Sequence, residues 1–345
     1  MDMSVVQTVT IKEAEPLLLD ILAAGLVPML HSSPGMGKSD LVRTIAKKFN
    51  LLVIDMRLSQ MDPTDLNGFP TMNVDKTRSD YVPPMTIPLE GDPIPEGYKG
   101  WILFLDEITS APPGMQAAGY KLILDRLVGQ RKVHKQCAMV AAGNLSTDKA
   151  ITNRMSTALQ SRMIHLVMEV CPKSWNTWGV GADIDYRVLG FLRFRPDLLH
   201  KFDPNHDELT FACPRTYEFV SRIIKPWKSI PTDKVPLLAG TIGQGAAIEL
   251  KAFVDIFSTL PEAETIRNDP HNAVVPHEPG TLYAVTALLG NIIDASNMDS
   301  VMNYVERLPK EFQAVALQGV WKKDPTLADT TSGKSWITRN AEEMI

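Results

Sequence analysis

Apolar positions follow two rhythms along the chain. Up to about residue 170, short unbroken apolar runs alternate with helically spaced stretches. The runs are LVPML (26–30), LLVIDM (51–56), WILFL (101–105), CAMVAAG (137–143) and MIHLVMEV (163–170), each of strand length and composition. Between them lie three helical patterns. The first, in residues 1–25, would bury Leu17, Leu18, Leu19, Ile21 and Leu22; the second would bury Leu41, Val42, Ile45, Ala46 and Phe49; the third is PPGMQAAGYKLILDR (112–126), with proline near its start. Alternating strands and helices predict a parallel α/β sheet. Residues 60–99, dense in Pro, Gly and Asp, read as an insertion. RLVGQRKVHKQC (126–137) reads as a hairpin around Gly129. CPKSWNTWGVGAD (171–183) is turn-rich, and from Tyr186 onward every pattern is helical. The expected organisation is an α/β core over 1–178 with its insertion at about 60–99, a helical lid over 179–265, and a helical C-terminal extension over 266–345.

Composition narrows the field of functions. Hydrophobic residues make up 44% of the 345 and charged residues 22%, and the formal net charge is -5. That balance gives no push toward nucleic acid or an anionic membrane. Cys137, Cys171 and Cys213 form no CxxC pair, and no histidine cluster has metal-ligand spacing. The three therefore read as reduced, packed thiols. The first residues lack a basic start followed by an apolar run, and no apolar run approaches the ~20 residues of a membrane helix. A cytoplasmic location is expected.

The chemistry concentrates after the first and third of these runs. Ser33-Pro34-Gly35-Met36-Gly37-Lys38-Ser39 lies between a strand and a helix. It fits the Walker A pattern except that Ser32 stands at the first glycine position. Gly35 and Gly37 allow the backbone to turn its amides toward phosphate oxygens. Lys38 would reach the β- and γ-phosphates of ATP, Ser39 would ligate magnesium, and Leu41, one turn into the helix, completes the nucleotide-binding set. Asp106 and Glu107 follow WILFL at a strand's C-terminal end, where open parallel sheets bind ligands. Asp106 suits a magnesium contact and Glu107 a base that activates water. His31 and Trp101 flank these motifs and read as packing residues.

GKS, LFLDE and AAGN, in this order and spacing, resemble the AAA+ ATPases, and within them the MoxR-like group. The residues carrying the likeness are MDPTDLNGFP (61–70), LFLDEITSAPPGMQAAGYKLILDR (103–126), AAGN (141–144), NRMSTALQSRM (153–163) and CPRTYEF (213–219). The resemblance implies a P-loop NTPase sheet followed by an all-helical lid. It implies sensor 1 at Asn144, an arginine finger acting in trans at Arg162, a second trans cation at Arg154 and sensor 2 at Arg215. Taken alone, Asn144 also fits a turn after a strand, and each arginine a solvated or salt-bridged side chain. Asp65 and Gly68 match the family's helix 2 insertion, and 126–138 its hairpin before sensor 1; relatives use such insertions on clients or the ring pore.

Three functions follow. The first is a ring-forming ATPase, a hexamer by family expectation, that remodels a partner protein, such as a separate chain bearing a von Willebrand factor A domain. The second is a DNA-directed motor or loader with Arg126, Arg131, Lys132 and Lys135 lining a pore. The third is a slowly hydrolysing nucleotide-gated scaffold, against which Glu107 and Asn144 argue.

Overall fold

The computed structural model describes residues 7–148, 153, 155–205 and 208–340. The chain divides into two compact bodies, one holding Met1–Val170 with Asp203–Asn205, the other Cys171–Phe202 and the chain from residue 206 onward.

The first body runs β1 (Thr8–Thr10), α1 (Ile11–Ala23), β2 (Val27–His31), α2 (Lys38–Phe49), β3 (Leu51–Arg57) and α3 (Pro63–Asn67). A hairpin follows, β4 (Phe69–Met72) and β5 (Ser79–Val82), then β6 (Gly100–Asp106) and α4 (Pro113–Asp125). A second hairpin, β7 (Leu127–Val128) and β8 (Arg131–Lys132), precedes β9 (Cys137–Gly143), α5 (Thr157–Gln160) and β10 (Met163–Glu169). Six strands form one sheet in the order β1-β10-β2-β9-β6-β3, with every pairing parallel.

The sheet is covered on both faces, which is why its inner strands are continuous apolar runs. Along β6, Ile102 and Phe104 pack with Leu18 of α1 and Leu41, Val42 and Ile45 of α2. The alternate residues Trp101, Leu103 and Leu105 pack with Met115, Ala118 and Leu122 of α4. Three expectations need correction: Phe49, the last residue of α2, is exposed rather than buried. In α1 the buried stripe is Ala14 and Leu18, one turn apart, while Leu17 is exposed, because the helix meets the sheet along a narrow line. LLVIDM forms β3 at the sheet edge, so only Met56 of that run is buried.

The insertion is more ordered than its composition suggests. Asp62 and Asp65 form a reciprocal cap on α3, with Pro63 at its first position. Gly68 ends α3 with φ 87°, and a Cβ there would lie 2.4 Å from the Val82 carbonyl oxygen. The hairpin that follows exposes Phe69, Met72, Val74, Tyr81 and Val82, with Met85 just beyond.

The second body is helical: α6 (Pro172–Gly181), α7 (Tyr186–Phe194), α8 (Pro214–Ile224), α9 (Val235–Ile242), α10 (Gln244–Ile256) and α11 (Ala263–Asn268). It continues with α12 (Pro279–Ile292), α13 (Met298–Val305), α14 (Lys310–Lys323) and α15 (Thr331–Arg339). The turn-rich segment at 171–183 is mostly α6. Proline at its first position suits a helix start, and Trp175 anchors it in the core. Helices on either side of residue 265 pack together, α12 on α7 and α10, and α14 on α6 and α12. Phe191 and Phe194 of α7 meet Phe253 of α10, and Tyr283 of α12 meets Phe312 of α14.

Candidate active site

β2, β9 and β6 are neighbours, so the loops leaving their C-terminal ends meet. After β2 the chain turns at Pro34 and Gly35 and enters α2 at Gly37. Gly35 and Gly37 have φ 77° and 84°, the left-handed region that glycine enters without cost. Met36 and Leu41 are buried, and the Leu41 amide donates to the Gly37 carbonyl at 3.0 Å. These contacts tie the loop to the core while α2 presents its N-terminus.

Lys38 Nζ donates to the Ser32 carbonyl at 3.0 Å, to Ser32 Oγ at 2.9 Å and to Asn144 Oδ1 at 3.2 Å. The residue that departs from the Walker pattern is thus fully buried and gives the lysine a hydroxyl acceptor. Ser33 Oγ donates to Asp148 Oδ1 at 3.2 Å, joining the loop to the segment after β9. Asn144 is held by Thr109, whose Oγ1 accepts from the Asn144 amide at 3.0 Å.

Ser39 Oγ lies 3.4 Å from Asp106 Oδ2. Burial pushes the Asp106 carboxyl above the usual range, opposed by the Glu107 amide, which donates to Asp106 Oδ1 at 2.8 Å, and by the charge of Lys38. A hydroxyl beside a desolvated carboxylate is a hard-oxygen pair that fits magnesium. Among the described residues no cluster of three or more His, Cys, Asp or Glu side chains is placed to hold a metal ion. Ser39 and Asp106 would suffice for an ion that takes its other ligands from phosphate and water, as magnesium does. Glu107 sits at φ 57°, a conformation uncommon outside glycine, and its carboxylate accepts a hydrogen bond from Ser59 Oγ.

Two contacts escape sequence reasoning. Ser59 belongs to a short turn after β3 and reaches Glu107 because Arg57 pairs with Asp106 across the sheet. His31 is more than packing. Its Nε2 lies 2.8 Å from Nδ1 of His165 on β10, and His165 Nε2 lies 2.8 Å from the Gln160 carbonyl. A carbonyl only accepts, so His165 carries its proton on Nε2 and accepts from His31 through Nδ1. Burial, with His165 and Lys38 nearby, lowers the His31 pKa to about 4. This chain links the strand before the phosphate loop to the turn before Arg162. Trp101 packs in the core, edge-on to His134.

The structure thus brings Lys38, Ser39, Asp106, Glu107 and Asn144 to one end of the sheet. Arg162 is exposed, with Nη1 donating to the Ala158 carbonyl at 2.8 Å and its guanidinium 5.0 Å from the centre of the Tyr120 ring. It forms no ion pair among the described residues. Arg215 is exposed in the first turn of α8, in the helical body. Arg154 lies outside the described residues. Of the basic hairpin, Arg126 is committed to the carbonyls of His134 and Cys137, while Arg131 and Lys132 are exposed.

This loop cluster has a counterpart among known proteins. Residues 29–163 match the family described as AAA domain (dynein-related subfamily). The matched AAA segment, under half of the chain, runs from β2 to the first residue of β10 and includes all five converging residues. No curated protein matches the chain. Among solved structures, a Cytophaga hutchinsonii protein, itself only provisionally assigned as an ATPase, is similar at 14% identity and TM-score 0.36, over 97% of this chain and 90% of that one. A mutant of Thermotoga maritima RuvB is similar at 15% identity and TM-score 0.39, over 88% and 91%. The RuvB Holliday junction branch migration motor of the same organism is similar at 16% and 0.35, over 86% of each chain. No functional conclusion passes from likenesses this distant. Among the described residues no helix is long and apolar enough to cross a membrane.

Proposed function

We propose that this chain is a magnesium-dependent ATPase subunit of the MoxR-like AAA+ type, acting in a hexameric ring to remodel a partner protein in the cytoplasm. The observation that carries the ATPase reading is the convergence of Lys38, Ser39, Asp106, Glu107 and Asn144 on the phosphate loop. Lys38 holds the β- and γ-phosphates, and loop amides at the N-terminus of α2 cradle their oxygens. Ser39 and Asp106 would hold magnesium, whose charge, when bound, would offset that of the phosphoryl group. Glu107 takes a proton from the attacking water, with Ser59 fixing its carboxylate, and Asn144 orients that water.

Arg162 enters as the finger given to the neighbouring subunit's γ-phosphate, and its exposure and lack of an acidic partner among the described residues support that role. Arg154 as a second trans cation and Arg215 as the γ-phosphate contact in cis rest on family resemblance alone. For the client, the supporting observation is the hairpin in the insertion, whose exposed Phe69, Met72, Val74 and Val82 form a surface suited to apolar segments of another protein. A separate chain with a von Willebrand factor A domain is the client class the resemblance favours. The DNA-motor alternative loses Arg126, which is bound to carbonyls of its own hairpin.

Mixing subunits tests the ring. Arg162→Ala and Glu107→Gln chains, each inactive alone, are expected to regain ATP turnover when combined, because a mixed interface joins an intact Glu107 to an intact finger. Absence of rescue at every ratio, with mixed assembly verified, would remove the trans role of Arg162.

A further inference from the structure

The helical body contains a cavity of about 470 Å³ between α7, the turn after α8, α12 and α14. Two arginines of α7 line it, and they differ sharply in their partners. Arg187 uses its donors fully: Nε and Nη2 bond Asp185 at 2.9 and 2.7 Å, Nη1 bonds the Trp227 carbonyl at 2.6 Å, and Nη2 also bonds the Ile224 carbonyl at 2.7 Å. Arg193 has no hydrogen-bond acceptor or ion-pair partner among the described residues. Its guanidinium lies across Gly319 of α14, where a Cβ would stand 3.5 Å from Nη2 and 3.8 Å from Nη1. Burial pulls its pKa below the ordinary arginine value, the only opposing influence being Tyr283. It nonetheless stays charged at any physiological pH.

The rest of the lining adds to this charge. Its two acids are already paired, Asp185 with Arg187 and Asp183 with Lys225. Lys228 and Lys323 also line the cavity and form no ion pair among the described residues. The C-terminal ends of α8, α12 and α14 offset part of the three remaining charges, about half an elementary charge each. The α8 end contributes least, since Arg187 already takes its last carbonyls. Arg193 is half-buried, and its donors meet no acceptor among the described residues.

We propose that this cavity binds a small, multiply charged oxyanion, with Arg193 gripping it and Lys228 and Lys323 adding attraction. The volume is that of a small-molecule site, and a guanidinium fork suits phosphate and carboxylate oxygens alike. The ligand is thus a polyphosphate or a polycarboxylate held away from the phosphate loop.

The test uses the full chain carrying Lys38→Ala, which removes the loop lysine as a competing anion contact. Calorimetric titrations with sodium tripolyphosphate and, separately, citrate tell the two ligand sources apart. The expected result is one saturable site for at least one probe, weakened at least about tenfold by Arg193→Met. Arg193→Lys should keep part of the affinity, and Lys323→Met should weaken it about threefold or more. Thermal melting checks that each variant folds; if Arg193→Met does not, Arg193→Lys and Lys323→Met decide. Neither probe binding below millimolar concentration would overturn the proposal. So would binding that folded Arg193 and Lys323 variants leave unchanged.

Discussion

The two bodies handle buried charge in opposite ways. At the end of the sheet, Lys38 bonds the uncharged Ser32 oxygens and Asn144, and Asp106 meets the Ser39 hydroxyl and the Glu107 amide. In the helical body, Arg187 and Asp185 are closed into a buried pair with its remaining donors on carbonyls. The first arrangement gathers charge beside the phosphate loop; the second locks charge into the fold. The difference teaches where mutation should show itself, in turnover for the sheet end and in stability for the helical body. Arg193 is the exception, an arginine of the helical body with the open character of the sheet site.

The largest expected effect is on turnover. Lys38→Ala should cut ATP hydrolysis about 10²- to 10³-fold, the loss typical of one preorganised charge contact, while leaving thermal melting of the chain nearly unchanged. A steady-state assay beside a melting curve measures both, and a large drop in melting temperature would blur the contrast.

Arg187→Met should do the reverse. Stranding Asp185 in the interior costs about 3–5 kcal/mol, read from denaturant unfolding. Combining Arg187→Met with Asp185→Leu should recover most of that loss, because an apolar pair avoids the stranded charge. If the double variant is as unstable as the single, the carbonyl contacts of Arg187 hold the body together instead.

The histidine chain predicts a smaller, pH-dependent effect. His31 titrates near 4 in the fold and near 6.5 when unfolded, so the unfolded chain binds the extra proton between those values. Its stability contribution is complete above about pH 6.5 and is lost as pH falls toward 4, by at most about 3 kcal/mol. Unfolding measured across that window should flatten in His31→Gln, whose amide keeps a donor toward His165 without titrating. The smallest effect is Arg193→Met, which should change stability by no more than about 0.5 kcal/mol, since the half-buried guanidinium makes no hydrogen bond among the described residues.

Much of the α/β body was legible in the sequence because parallel strands buried on both faces must be continuous apolar runs, and WILFL is one. The phosphate loop was legible because its glycines, lysine and serine are contiguous. Contacts made by register were not: Ser59 beside Glu107 and His165 beside His31 stand 48 and 134 residues apart in the chain. Segment 171–183 misled because Gly179 and Gly181 suggest a turn, whereas close packing of Leu189 and Ile184 on Gly179 favours a helix there. In the helical body, periodicity identified buried faces but not which arginine would lack a partner, a property of four helices at once.

The most direct measurement compares the parent chain with Glu107→Gln for ATP binding and for magnesium-dependent ATP turnover. The account predicts that both bind ATP with similar affinity and that the variant loses hydrolysis about 10²-fold or more. A Glu107→Gln chain that hydrolyses ATP as fast as the parent, or a parent that binds ATP and never turns it over, would contradict it.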